Sequence, residues 1–337
     1  MNAENFWDRE VAAPTHTSWM EHPKVREYIL RSISRAEEGL WPVDWFMRWL
    51  GGRRFARALS IGCGTGPFER DVVRKNLVDR IDAFDGSTNS LRIASDLARA
   101  EGMASRARYF AADFNEPSLP GLTYDVVFIH QALHHVAKLE KLLRSVLLAL
   151  KPGGVLYLDE YVGPSRSDWN DQLIAPQRAM FGKLPGLSRR IEALPLPIQW
   201  DDPSEAIRSS EIMKQLKIGF DVREVRGYGG NLLSVLYPAV DFDRAQGAID
   251  AVIEEEKRLL ASGASPFYAV IVATPKRGLR KLLASWRYPF YAVIVATPKR
   301  GLRKLLASWR SFAKPKLKRI ARGIIGRLSS RTPRPGD

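Results

Sequence analysis

Apolar positions along the chain fall into short runs separated by longer stretches in which they recur every three or four residues. The runs Ala58 to Ile61, Arg80 to Phe84, Arg108 to Phe110, Asp125 to His130 and Val155 to Leu158 read as strands, and the stretches between them as helices. Strands alternating with helices predict an α/β fold with a parallel sheet. Ahead of the first strand, Val25, Tyr28, Ile29 and Ile33 share one face of a predicted helix. After the fifth strand comes a Pro- and aromatic-rich stretch, Tyr161 to Pro203. A helix is then expected over Ser204 to Leu216, capped by Asp202 or Ser204, followed by a sixth strand at Phe220 to Val225.

One repeat interrupts this pattern. Residues 266–287, PFYAVIVATPKRGLRKLLASWR, recur unchanged at 289–310. Solenoid repeats diverge and need several copies, so two identical copies read as a recent tandem duplication or an assembly error in the sequence. Each copy holds a strand-like run, a Thr-Pro stop and a basic helical segment. A sheet has one slot for such a strand. The first copy follows a predicted helix (Ala248 to Ala261) and a turn at 262–265 that would deliver it there, so the second is expected outside the core or at an edge.

The segment with most chemical content is Ala58 to Glu69, where a strand runs into Gly62, Gly64 and Gly66 before a helix. Glycines suit a backbone that turns sharply and lets a ligand approach its N–H groups. Asp85 ends the second strand, where a carboxylate can accept both hydroxyls of a ribose; a solvated turn aspartate is the plainer alternative. Asp113 ends the third strand beside Phe114 and can hold an adenine amino group. All three features lie at the carboxyl ends of strands, where open α/β sheets bind ligands.

Together with SIGCGTG at 60–66, FDGS at 84–87, AADF at 111–114 and YDVVFIHQALHHV at 124–136, the LKPGG run at 150–154 gives a sequence that resembles the class I S-adenosylmethionine-dependent methyltransferases over roughly residues 50 to 275. The resemblance implies a Rossmann-like, seven-stranded, mostly parallel sheet with an antiparallel last strand, filled by one copy of YAVIVA. It implies S-adenosylmethionine as cofactor, with its methionine part on the glycine loop, its ribose on Asp85 and its adenine on Asp113. The expected cofactor-binding set is Ser60, Gly62, Cys63, Gly64, Gly66, Asp85, Gly86, Asp113, Phe114 and His130. One departure is Ser60, where the family usually has an acid; the cofactor's amino group is then short of a carboxylate.

The residues after the fourth strand bear on the acceptor. An Asn/Asp-Pro-Pro-aromatic clamp for nucleobase amines and the paired glutamates of protein-arginine enzymes are both missing, and Cys63 sits inside the cofactor loop, so a small-molecule or glycan acceptor is expected. Transfer to a hydroxyl needs a base, and imidazole has a suitable pKa. His135 and His134 are the candidate bases, with Glu160 as an alternative. On a helix the two histidines project about 100° apart, so one at most is expected to face the crevice squarely. A capping or packing role is the competing reading of the Leu-His-His turn. No metal is expected, since Asp125 and Asp159 lie at opposite ends of the sheet and no clustered oxygen-ligand set is visible.

Composition and charge divide the chain. It has 337 residues, 45% of them hydrophobic, which excludes a disordered or fibrous chain. No apolar run approaches the roughly 20 residues of a membrane span. The first residues lack a signal-peptide core, and Cys63 is the sole cysteine, so a cytoplasmic address is expected. The net charge of +15 is uneven: from Lys276 onward there are 18 Lys+Arg and one acid, whereas residues 1–275 are close to neutral. Leu279, Leu282, Leu283 and Trp286, and further on Leu317, Ile320, Ile324 and Leu328, form apolar stripes beside those charges. That pattern suits an interfacial helix on an anionic membrane surface, more than nucleic acid, which has no need of the stripe.

The expected organisation is an N-terminal helical lid over 1–50, with Phe6, Trp7, Trp19 and His22, a methyltransferase domain over 51–275 with a substrate-side insertion at 162–203, and a basic amphipathic tail over 276–337. The first functional expectation is O-methylation of a small molecule or a lipid-linked glycan precursor. The alternatives are a non-catalytic methyltransferase-fold partner protein at the membrane surface and an RNA methyltransferase.

Overall fold

The computed structural model describes residues 18–245 and 247–276. Seven strands form one sheet: β1 Phe55–Ile61, β2 Val78–Asp85, β3 Ala107–Ala111, β4 Tyr124–His130, β5 Leu150–Tyr161, β6 Phe220–Gly229 and β7 Tyr268–Pro275. Their order is β3-β2-β1-β4-β5-β7-β6. The first five are parallel, and β7 runs antiparallel to both β5 and β6. The six strand-like runs from Ala58 to Val225 and the one in the first repeat copy each became a strand, several of them longer than their apolar part. β5 in particular reaches back through Lys151, Pro152 and Gly153.

Nine helices accompany them among the described residues: α1 Pro23–Ser34, α2 Pro42–Trp49, α3 Pro67–Arg74, α4 Thr88–Ala100, α5 Leu139–Ala149, α6 Ala175–Lys183, α7 Ile212–Gly219, α8 Leu233–Leu236 and α9 Ala248–Ala261. Proline at the first position starts α1, α2 and α3, where the missing N–H has no partner to lose. Ser87 caps α4 by accepting from the Ser90 amide at 3.1 Å. The face of α1 read from the sequence is the buried one: Val25 and Ile33 are fully enclosed, and Tyr28 and Ile29 nearly so.

The first copy of the duplicated segment fills β7. It lies inside the sheet, with Tyr161 opposite Tyr268 on one side and Gly229 opposite Tyr268 on the other. Ala269 to Ala273 are all buried, which explains a run that is apolar on both faces rather than alternating. The second copy and the basic tail lie outside the described residues, as do Phe6 and Trp7. Among the described residues no helix is long and apolar enough to cross a membrane.

The helix expected over Ser204 to Leu216 is shorter. α7 begins only at Ile212, after turns and a 3-10 turn at Ser209–Glu211. The backbone of 204–208 is tied to other segments instead of to itself: the Ile207 amide donates to the His134 carbonyl at 3.1 Å, and the Ala206 carbonyl accepts from the Arg166 amide at 2.8 Å. Asp202 Oδ1 accepts from the Ser204 amide (2.8 Å) and hydroxyl (2.7 Å), so it caps a turn rather than a helix.

The chain order reverses between β1, which leads outward to β2 and β3, and β4, which leads to β5. The carboxyl ends of these strands border the crevice in which such sheets bind ligands.

Candidate active site

The glycine loop is built at that crevice. The Gly62 and Cys63 amides both donate to the Phe84 carbonyl, at 2.9 and 3.2 Å, locking the loop to the end of β2. Gly62 has φ +74°, and a Cβ there would lie 2.2 Å from that of Ala132, so only glycine lets the loop pass the β4 end. Gly64 differs: at φ +50° its added Cβ would meet nothing. Its amide donates to Asp85 Oδ2 at 2.9 Å, while Asp85 Oδ1 accepts from the Ser87 amide at 2.9 Å. Asp85 therefore braces the loop against β2. The surface beside Gly86 is open as well.

The remaining members of the expected cofactor set are not equally enclosed. Phe114 packs on Phe84 with ring centroids 5.7 Å apart, and its ring comes near Gly62. Asp113 is exposed and accepts from the Asn115 amide at 2.7 Å. Cys63 is buried, and burial pushes its thiol well up, so it stays protonated inside the loop. Open space above Gly64 and Gly86, bordered by the Asp85 carboxylate, fits a nucleoside with a zwitterionic extension.

Ser60 is buried on β1, and its hydroxyl donates to Glu69 Oε1 on α3 at 2.5 Å. The second oxygen of Glu69 accepts no hydrogen bond. Burial raises this carboxyl to about 7, against the lowering effect of the Ser60 hydrogen bond. A carboxylate thus stands beside Ser60 after all, supplied from nine residues further along the chain.

At the ends of β4 and β5, His130 faces Asp159, with Nε2 3.6 Å from Oδ2. Asp159 is buried and also accepts from the Tyr228 hydroxyl at 2.6 Å, while Gln131 Nε2 donates to the Tyr228 oxygen at 3.2 Å. The His130 ring stacks on Phe68, the second residue of α3, at 5.2 Å. Its side chain is 43% exposed, which makes it the accessible member of this group. Gln131 takes φ +51°, a left-handed conformation that costs a non-glycine residue on the order of 1 kcal/mol and is held here by its neighbours.

His134 and His135 lie on a single 3-10 turn, Leu133–His135, rather than on an α-helix. Their rings are 4.0 Å apart, and both Nε2 atoms lie 3.7 Å from Glu205 Oε2. The expected divergence of the pair is not found, because the tighter turn and its contacts bring both rings toward one carboxylate. His134 Nδ1 contacts Glu160 Oε1. His135 Nδ1 contacts the Ser204 hydroxyl at 3.1 Å, with Asp202 Oδ2 at 3.6 Å. Burial works against a charge on His134, but Glu160 and Glu205 outweigh it and raise its pKa to about 9. Burial and the neighbouring His134 push His135 well down.

Glu160 is fully buried. Its oxygens accept from the amides of Ala132 (3.0 Å), Leu133 (2.6 Å) and Tyr161 (2.8 Å) as well as contacting His134. It anchors the turn after β4. Glu69, Asp159, Asp202 and Glu205 carry much of this geometry without having been singled out as site residues. Asp159 is adjacent to Glu160 at a strand end, a visible signal. Glu205, 70 residues beyond His135, had none.

Beside the cluster opens a cleft of about 610 Å³. Trp19, Tyr161, Tyr268, Arg166, Arg190 and Glu205 contribute to its lining, as does the Leu194–Gln199 stretch. Trp19 packs on Tyr268 at 5.2 Å, and Tyr268 stacks on Tyr228 at 5.8 Å.

Residues 59–156 match a family described as a methyltransferase domain. Over 163 residues, or 47% of the chain, the sequence is 35% identical to the ubiquinone/menaquinone biosynthesis C-methyltransferase of Azotobacter vinelandii. Residues 59–156 therefore carry a methyltransferase domain of the class I S-adenosylmethionine-dependent type. The sterol 24-C-methyltransferase of Aspergillus fumigatus is 25% identical to this chain over 113 residues, 34% of its length. The matches span 61% of the length of the first relative and 30% of the second. Among solved structures, the [4+2]-cyclase SpnF covers 80% of this chain and 94% of its own at 18% identity and a TM-score of 0.46. A phosphoethanolamine N-methyltransferase of Haemonchus contortus covers 82% and 60%, at 19% identity and a TM-score of 0.47. S-adenosylmethionine is the cofactor of such a domain, and the open space at Gly64 beside Asp85 leaves room for it.

Proposed function

We propose that the chain transfers the methyl group of S-adenosylmethionine to a small molecule held in the cleft between Trp19, the insertion after β5 and the start of β7. Bound on the glycine loop, the cofactor supplies an electrophilic methyl carbon on a sulfonium. Asp85 would accept the ribose hydroxyls, with the Gly64 backbone toward the methionine part and Phe114 toward the base. The observation that carries this reading is that the loop, Asp85 and His130 share one crevice at the carboxyl ends of β1, β2 and β4.

The acceptor atom must lose a proton as it gains the methyl. His130 is the accessible base at the β4 end, oriented by Asp159, which Tyr228 in turn holds. The proton passes from the acceptor to the imidazole. The relatives' names, C-methyltransferases in quinone biosynthesis and on sterols, favour an activated carbon as readily as a hydroxyl, and either loses one proton in the same way. Trp19, Tyr161 and Tyr268 suit a flat or apolar acceptor body, and Arg166 and Arg190 an anionic substituent.

The test is calorimetry with S-adenosylmethionine and S-adenosylhomocysteine on the intact protein and on Asp85→Ala. Binding that is weakened at least ~10-fold in the variant supports the reading, on the scale of a lost charged hydrogen bond. Absence of binding by the intact protein overturns it. Transfer of labelled methyl to a panel of phenolic and hydroxylated acceptors then identifies the substrate.

A further inference from the structure

We infer that His134, His135 and Glu205 form a binding site for one divalent transition-metal ion at the wall of the acceptor cleft. Each of the three residues offers one ligand atom such that all lie within 4.8 Å of one another, and the Nε2 atoms of His134 and His135 are both 3.7 Å from Glu205 Oε2. A tetrahedral ion with bonds of about 2.1 Å spaces its ligands roughly 3.4 Å apart. The pocket formed by these atoms needs a contraction of only a few tenths of an ångström on the measured edges to reach that spacing.

The surroundings are those of a ligand set. A metal-binding imidazole is ordinarily held at its other nitrogen by a carboxylate, hydroxyl or carbonyl, which sets the ring's orientation. Here both rings are held so: His134 Nδ1 by Glu160, and His135 Nδ1 by Ser204, with Asp202 behind it. These partners come from β5 and from the segment after the insertion, and each is itself fastened. Glu160 takes three backbone amides, and Asp202 Oδ1 takes the Ser204 amide and hydroxyl. Asp202 Oδ2 is completely buried and accepts no hydrogen bond. Three carboxylates, Glu160, Asp202 and Glu205, therefore surround two imidazoles; Arg166 donates to the carbonyls of Asp202 and Pro203 and acts on Glu205 only through its charge. A divalent cation balances that excess of negative charge.

Two imidazoles and a carboxylate select Zn²⁺ or Fe²⁺ over Mg²⁺ or Ca²⁺, which prefer oxygen ligands throughout. Glu205 also lines the cleft, so a fourth ligand position would lie on the acceptor side. An ion there would polarise an acceptor oxygen or carbonyl next to the atom being methylated. The site shares the cleft of the proposed methyl transfer and its catalytic meaning rests on that reading, but its existence does not.

The experiment is metal analysis of the full-length protein loaded with Zn²⁺ and desalted, together with titration of the chelator-stripped protein with Co²⁺ as a spectroscopic probe. About one Zn²⁺ per chain and a visible absorption typical of four- or five-coordinate Co²⁺ are expected, with no competition from a large excess of Mg²⁺. His135→Ala and Glu205→Gln should lose at least ~10-fold in affinity, and Asp202→Asn should weaken binding about 10- to 100-fold through the orientation of His135. If His135→Ala does not fold, Glu205→Gln, at the partly exposed cleft wall, decides alone. Failure of the intact protein to retain Zn²⁺ and to perturb the Co²⁺ spectrum overturns the site, as does unchanged binding in Glu205→Gln. S-adenosylmethionine binding measured on the same samples reports separately on the methyltransferase reading.

Discussion

The Ser60 hydroxyl donates to Glu69 Oε1 at 2.5 Å beneath the glycine loop. The residue preceding the first glycine by two positions, usually an acid in this family, is thus a serine that holds a carboxylate from the next helix. Its other oxygen is buried and has no hydrogen-bond donor, an acceptor that a ligand ammonium or a water would complete.

Two consequences follow for Glu69. Replacing it by Ala should weaken S-adenosylmethionine binding by roughly 10-fold or more, whereas Ser60→Ala, which leaves the carboxylate in place, should cost less. Calorimetry on the two variants checks the order. For stability, the folded-state value of about 7 exceeds the ordinary glutamate value of 4.5 that holds in the unfolded chain, so the folded protein holds this proton more tightly. The cost of ionising it is absent below pH 4.5, grows between 4.5 and about 7 and is complete above. Glu69→Gln should therefore gain stability relative to the wild type as pH rises through that window, by at most ~3 kcal/mol. Urea unfolding at pH 4.5 and 8 measures the difference; an equal effect at both would sink the explanation.

Gly64 and Gly62 should respond differently to Ala. At Gly64 the Cβ meets no protein atom, so the fold should survive at a cost of about 1–2 kcal/mol for the left-handed backbone, while cofactor affinity falls sharply because the methyl fills the ligand's space. At Gly62 the Cβ collides with Ala132, so thermal stability itself should drop. Melting curves with and without S-adenosylhomocysteine separate the two outcomes.

His130 should act on turnover more than on cofactor binding. His130→Ala is expected to lower kcat by about 10²–10⁴ with little change in S-adenosylmethionine affinity, and Tyr228→Phe to lower it less, through Asp159. The opposite split, with affinity lost and kcat retained, would return His130 to the cofactor-binding role that the family resemblance implies for it.

Glu256 on α9 accepts from the amides of Gly230 (2.6 Å), Leu232 (2.8 Å) and Leu233 (3.0 Å). This accounts for the YGGNLL run at 228–233: the chain turns through Gly229 and Gly230 at positive φ so that three amides converge on one buried carboxylate. Glu256→Ala strands all three donors and should cost more than ~3 kcal/mol in urea unfolding. Catalytic residues would be untouched, so the residual folded fraction should retain its cofactor affinity.

The strands and the glycine loop were legible because their signals are local. A run of β-branched residues, a glycine that must take positive φ and an aspartate at a strand end each depend on a few neighbours. The expected helix at 204–216 failed for the complementary reason: its apolar spacing was helical, but the backbone amide of Ile207 and carbonyl of Ala206 found partners at His134 and Arg166. Likewise the divergence expected of His134 and His135 assumed an α-helical turn, and contacts with Glu160 and Glu205 select a different one.

The sequence by itself determined which segments are strands, that a nucleoside-binding crevice forms at the ends of β1, β2 and β3, and where charge accumulates. Only the tertiary structure decided that the Glu69 carboxylate lies beside Ser60, that two histidines and a glutamate 70 residues away converge, and that the backbone at 204–208 is tied to other segments instead of helical. Residues far apart in the chain share no periodicity. What decides their roles is the set of partners that packing brings within a few ångströms, and that set exists only once the sheet has assembled.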